Sequence, residues 1–290
     1  MENTDFAERI QHTHHTAPTQ YIEAAGIRFA YRRFGKKGTV PLLFNVHFLG
    51  TMDHWDPKIT DGLVQEREVI LFDNAGIGAT SGETPESIYE MARYAEAFVD
   101  VLGLKQIDLL GFSMGGVISQ QIVVDRPELV RKLVLTGTGP KGGEAMQGAT
   151  PEGKAIFTGT YEKPEEVWLK VFFTPSAKSQ AAGRKFLERF MARKEDRVPP
   201  VKPNVGPAQR AALAAYSVIT EDRYSDLKKI TQPTLVVNGG DDVIIYTINS
   251  YLLQQKLPDA TLILFPDAGH GSLYQYPELY VAYVNLFLNQ

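Results

Sequence analysis

Three short stretches of this chain combine residue types that do nucleophilic chemistry. Gly111-Phe-Ser113-Met-Gly115 follows the apolar run Ile107–Phe112 and leads into the helix-like stretch Val117 to Val124. In that context, glycines two positions either side of a serine leave room for a sharp strand-to-helix turn that holds the hydroxyl out. A serine hydroxyl is a weak nucleophile at neutral pH; it needs an adjacent base, and the base needs a carboxylate to fix its tautomer. Both are supplied downstream. Thr234-Leu-Val-Val-Asn-Gly-Gly-Asp241-Asp242 runs a strand pattern into a glycine turn and two carboxylates, and Phe265-Pro-Asp-Ala-Gly-His270-Gly presents a histidine between glycines. The chain has no cysteine and only six histidines, so covalent chemistry falls to an oxygen nucleophile and few groups titrate near neutrality.

The elements that must position these residues are legible in outline. Tyr21 to Phe34 alternates around Gly26 and reads as an antiparallel hairpin at a sheet edge. Short apolar runs then recur at Val40–Val46, Glu68–Phe72, Ile107–Phe112, Lys132–Leu135, Thr234–Val237 and Thr261–Phe265. Runs apolar on successive residues suit strands covered on both faces, which predicts an α/β fold: a mostly parallel sheet of about eight strands wrapped by helices. Ser87 to Leu102 and Pro277 to Leu288 have helical spacing. Between Gly139 and Ile230 the alternation stops for far longer than an ordinary loop. Segments 164–173, 182–193 and 207–219 look helical there, broken by Pro175, Pro199-Pro200 and Pro203. The organisation expected is a polar N-terminal tail (1–19), a first core part (20–138), a helical cap (139–230) and a second core part (231–290).

Taken together, these motifs resemble the α/β-hydrolase superfamily, which places its triad in the chain order Ser, Asp, His. The resemblance spans roughly Tyr21 to Gln290, with the cap as the variable part. It implies Ser113 as nucleophile, His270 as general base and acid, and Asp242, three positions after Gly239, as the orienting carboxylate, with Asp241 as runner-up. It also implies an oxyanion hole built from the backbone N–H of Met114 and a second N–H from the loop Val46-His47-Phe48-Leu49-Gly50. That loop is similar to the family's His-Gly-x-x-Gly with one glycine absent, which puts Phe48 at the donor position and Leu49 as the alternative. The Phe48 ring is expected over the nucleophile. In the turn Asp73-Asn-Ala75-Gly76-Ile-Gly78, Ala75 takes the place of the family's usual arginine. The Gly-Phe-Ser-Met-Gly-Gly string and Phe48 resemble cofactor-free haloperoxidase and perhydrolase-like esterases. A serine at 113 disfavours dehalogenase and epoxide hydrolase chemistry, where an aspartate stands.

The resemblance implies a serine hydrolase acting on a small, largely apolar ester or lactone through an acyl-enzyme, with no metal or organic cofactor required. Phe48, Trp168 and Phe172 are the expected pocket residues, and Phe173, Phe190 and Tyr216 are further candidates for an apolar roof. C–C bond hydrolysis, perhydrolase activity and a non-catalytic small-ligand receptor are alternatives on the same fold. His47 is expected to support its loop and His54 to pack, while His12, His14 and His15 read as a solvated tail. A formal charge of −4 and a pI near 5.9 argue against a nucleic-acid partner. No apolar run approaches a membrane span and Met1 to Gln20 has no apolar leader core, so no membrane partner and a cytoplasmic location are expected. The dinucleotide-loop reading of Asp73–Ser81 fails, because Ser81 stands where a third glycine belongs.

Overall fold

The computed structural model describes residues 12–290 apart from Gln147 and Pro164. Ala25 and Gly26, both at positive φ, join β1 (Gln20–Ala24) to β2 (Ile27–Gly35) in an antiparallel hairpin. Positive φ at both turn residues matches the twist of the strands they connect. β2 pairs antiparallel with β4 (Glu68–Phe72). Every other pairing, through β3 (Leu42–Asn45), β5 (Ile107–Phe112), β6 (Val130–Thr136), β7 (Thr234–Gly239) and β8 (Ala260–Phe265), is parallel. The order is β1-β2-β4-β3-β5-β6-β7-β8, an eight-stranded sheet with the hairpin at one edge.

Strand sequence follows position in this order. Every residue of β3, β4, β5 and β7 is buried, which is why those segments are apolar without alternation, while β8 at the far edge is mostly half-exposed. Helices α1 (Pro57–Leu63), α2 (Ile88–Val101), α3 (Met114–Asp125), α8 (Ile248–Lys256), α9 (Ser272–Gln275) and α10 (Pro277–Asn289) accompany the strands. α2 starts where the Ser87 hydroxyl accepts from Glu90 N and buries Ile88, Met91, Ala92, Ala95, Phe98 and Val99; of the residues expected at helical spacing, Met91, Ala95 and Phe98 are buried and Tyr94 and Leu102 half-buried.

Between β6 and β7 stand α4 (Pro151–Phe157), α5 (Glu166–Phe172), α6 (Ala177–Phe190) and α7 (Val205–Tyr216), then a 3₁₀ turn at Ser225–Lys229. α6 begins five residues before the 182 expected, because the Ser176 hydroxyl caps it by accepting from Ser179 N. α4 has no counterpart among the helices the spacing predicts; Thr150 caps it, with Pro151 in its first turn. These helices are anchored to the strand-bearing part by part-buried polar contacts. The Arg189 guanidinium of α6 forks onto the Asp56 carboxylate, and Thr174 and Ser176 donate to the two Asp267 oxygens at 2.7 Å.

The solvated-tail reading fails for His14. It is buried, its backbone N–H donates to Asp61, and its ring nitrogen meets the Thr60 hydroxyl at 3.1 Å. The tail docks because it brings carbonyls that a buried guanidinium needs: Arg193 donates to His14 O at 2.6 Å and to Ala17 O at 2.9 Å. Arg32, fully buried on β2, pairs with Asp53 and donates to Asp196 O across the same junction. Among the described residues, no helix is long and apolar enough to cross a membrane.

Candidate active site

Parallel strands leave their connecting loops at one edge of the sheet, which is where such folds place ligands. The loops after β3, β5, β7 and β8 all emerge there. Ser113 sits between β5 and α3 at φ 55°, ψ −121°, a conformation strained for a residue with a Cβ. The flanking glycines make this turn possible by close approach. A Cβ on Gly115 would lie 2.0 Å from the Asn45 carbonyl oxygen, and one on Gly111 would lie 2.5 Å from Gly115 O. The Ser119 hydroxyl completes the floor, donating to Gly115 O at 2.7 Å and accepting from the Asn45 amide at 2.9 Å.

The acid and base arrive from the neighbouring strands. His270 Nδ1 donates to Asp242 Oδ2 at 2.8 Å, with both side chains buried. Asp242 Oδ1 accepts from Ile244 N at 2.8 Å and Ile245 N at 3.0 Å, so the carboxylate is held from both oxygens. Asp241 is exposed, and only its backbone engages the neighbouring loop, at Ala268 O. The His270 ring packs 5.1 Å from that of Phe112, the residue before Ser113. The Ser113 hydroxyl, 6% exposed, makes no hydrogen bond to protein among the described residues.

The loop after β3 lies against the start of α3. His47 Nδ1 donates to Phe48 O at 2.9 Å, and Leu49 N–H donates to Gln209 Oε1 of α7 at 2.8 Å, which leaves Leu49 N–H occupied. Neither Phe48 N–H nor Met114 N–H has a partner among the described residues. Burial lowers the His47 imidazole to about 4, and the nearby His270 opposes its protonation further. His54, stacked on His47 at 5.6 Å and on Phe190 at 5.0 Å, is pushed well below its ordinary value by the same burial. Both rings are therefore neutral packing groups, and they leave His270 as the histidine beside Ser113 that is paired with a carboxylate.

Of the expected pocket residues, Phe172 is buried between the rings of Phe112, Tyr274 and Phe186 and stacks on His270. Trp168 stacks on Phe172 at 5.2 Å and meets His47 edge-on. The Phe48 ring packs on Phe157 of α4. Phe173 and Phe190 pack around Phe186, and Tyr216 lies tilted beside Tyr89. The cavity that reaches Met114 is lined instead by Val46, His47, Asn74, Ile118 and Gln209 among others, with room for about one water molecule. Nothing in the sequence singles out Asn45, Asn74 or Gln209, since a lone amide carries no spacing signal.

The missing arginine at Ala75 is also accounted for locally. Ala75 is buried in the apolar core, and its turn is tied by side chains of the turn itself. Asp73 accepts from Met52 N at 2.7 Å, the Thr80 hydroxyl donates to Asp73 O, and the Asn74 amide donates to Met91 O. Burial raises the Asp73 carboxyl to about 7.

The family model for the alpha/beta hydrolase fold matches residues 40–277. This chain is an α/β hydrolase. An α/β hydrolase fold protein from Chitinophaga pinensis is 39% identical and superposes with a TM-score of 0.90, covering 96% of this chain and all of that one. The poly(3-hydroxyalkanoate) depolymerase of Ectopseudomonas oleovorans is 29% identical over 94% of this chain and 92% of its own length. A 2-hydroxy-6-oxononadienedioate/2-hydroxy-6-oxononatrienedioate hydrolase of a Pseudomonas species is 29% identical over 68% of each. The α/β hydrolase thus keeps its family resemblance across the strand-bearing part and the segment 139–230 alike.

Proposed function

We propose that this α/β hydrolase cleaves a small, neutral carboxylic ester or lactone through an acyl-enzyme on Ser113. The observation that carries the reading is the buried Asp242–His270 pair beside a strained serine turn. His270 Nε2 takes the Ser113 proton as Oγ attacks the carbonyl carbon, and Asp242 holds the tautomer and steadies the imidazolium. The N–H groups of Met114 and Phe48 receive the oxyanion. His270 then protonates the leaving oxygen; water, deprotonated by the same imidazole, releases the acid and restores Ser113. The Ser113–His270 contact closes with substrate in place, as such contacts do when a site fills.

The side chains packed around the triad set the substrate class. Phe112 and Phe172 beside His270, and Trp168 against His47, are uncharged, and His47 and His54 are held neutral. A dicarboxylate such as the one named for the Pseudomonas relative would need cationic forks that this lining lacks. That favours ester or lactone hydrolysis over C–C hydrolysis of a dianion. The segment 139–230 acts as a cap, since α5 and α7 cover the site.

A fluorophosphonate probe tests the reading directly. It labels the wild type and leaves Ser113→Ala unlabelled; an unlabelled wild type overturns the proposal, and labelling retained in the variant moves the nucleophile elsewhere. A panel of p-nitrophenyl esters of rising chain length, with lactones, then reads the acyl preference, and short neutral acyl groups are expected to turn over fastest.

A further inference from the structure

We propose that Gln209 of α7 is a positioning residue for the oxyanion hole, resting on the acyl-transfer reading above. It fixes the Phe48–Leu49 peptide plane so that the Phe48 N–H stays free to meet the oxyanion. The carbonyl of Phe48 and the N–H of Leu49 belong to one peptide group and point in opposite directions. Each end is gripped. His47 Nδ1–H donates to the carbonyl at 2.9 Å, and Gln209 Oε1 accepts from the N–H at 2.8 Å. The amide orientation of Gln209 is set by this contact, because a backbone N–H requires an acceptor.

The grip opposes a specific motion. Leu49 stands at φ +58°, which costs a side-chain-bearing residue free energy. Turning the peptide plane over by about half a revolution would bring φ of Leu49 into the ordinary negative range. It would also swing the Phe48 carbonyl to where the Leu49 N–H now points, reversing a dipole beside the position meant for negative charge. With Gln209 in place, that turn would break two part-buried hydrogen bonds. Gln209 is 3% exposed and lines the same cavity as Val46, His47 and Met114. The side chain comes from a segment 160 positions away in sequence, between β6 and β7. The oxyanion hole is therefore complete only while α7 is seated.

The test compares p-nitrophenyl acetate hydrolysis by the wild type, Gln209→Met and Gln209→Glu, with melting temperatures alongside. Methionine keeps the length and loses the acceptor, so kcat falls about 10- to 100-fold while KM stays within about threefold. Glutamate keeps the acceptor and recovers most of that loss. A Met variant with wild-type kcat overturns the proposal, and so does a loss that glutamate fails to recover or one that appears only in KM. Should the Met variant not fold, amide hydrogen exchange in the wild type decides: Leu49 protected and Phe48 fast supports the clamp, whereas equal rates sink it. A wild type that takes no fluorophosphonate label and turns over no ester removes the acyl-transfer reading instead, and the Leu49 exchange still reports on the clamp.

Discussion

The two halves of the proposed site are built differently. The acid–base half is assembled from adjacent strands β7 and β8: Asp242 and His270 lie 28 positions apart, and the carboxylate is held by its own loop. The oxyanion half joins the loop after β3 to α7, a contact spanning 160 positions. One half stands on the sheet and the other depends on a separately packed helix. Damage to the first should remove chemistry without moving the segment 139–230, and damage to that segment's anchors should disturb the second while leaving the Asp242–His270 pair intact.

The sharpest way to break this contrast is at the carboxylate. Asp242→Asn should lower kcat about 10⁴-fold with melting temperature nearly unchanged, because the hydrogen bonds to Ile244 and Ile245 survive while the His270 tautomer is lost. Asp241→Asn, exposed, should leave turnover within about twofold. Equal effects at both positions would dissolve the assignment. Next in size is the anchor of α6. Arg189→Met leaves the buried Asp56 carboxylate without its guanidinium and should cost about 3 kcal/mol by chemical denaturation. An unchanged denaturation midpoint would show that the segment 139–230 is held by other contacts.

Acid titration separates the halves further. His47 binds its proton at about 4 when folded, against about 6.5 unfolded, so between those values the unfolded chain holds more protons. Its stabilisation is present above pH 6.5 and is lost as pH falls toward 4, amounting to about 3 kcal/mol at most. His14 and His54, also lowered by burial, act in the same direction. Asp73, raised to about 7, works the other way: its contribution is present below pH 4 and is lost as pH rises through 7. The melting temperature should therefore peak near neutrality, and His47→Asn should flatten the acid limb. A limb unchanged by that substitution would remove His47 as its source. The smallest effect belongs to the surface: Lys58→Ala, breaking the exposed pair with Glu278, should shift stability by under about 0.5 kcal/mol.

The halves also differ in how far they can be read from sequence. Gly111-x-Ser113-x-Gly115 and the strand-to-loop runs ending at Asp242 and His270 are local patterns, and each depends on backbone geometry its own neighbours supply. The inner strands β3, β4, β5 and β7 are legible for the same reason, since two-sided burial writes itself as an apolar run. Gln209, Asn45 and Asn74 act through contacts with distant segments and leave no periodic trace. His14 misleads because a polar tail docks when its backbone carbonyls satisfy a buried guanidinium, here Arg193, rather than through apolar side chains. The packing of Phe172 between Phe112 and Tyr274 is hidden likewise, since helical aromatics look alike whether they face a pocket or a core.

The closeness of Gly115 to the Asn45 carbonyl has a consequence for how this site can change over generations. No single substitution at 115 can be accommodated without shifting a buried strand end, so the surroundings of the proposed nucleophile are closed to stepwise variation. Roof side chains other than Gln209 face no such wall. New substrate preferences would be reached through the roof, one residue at a time, over a floor that mutation can only break.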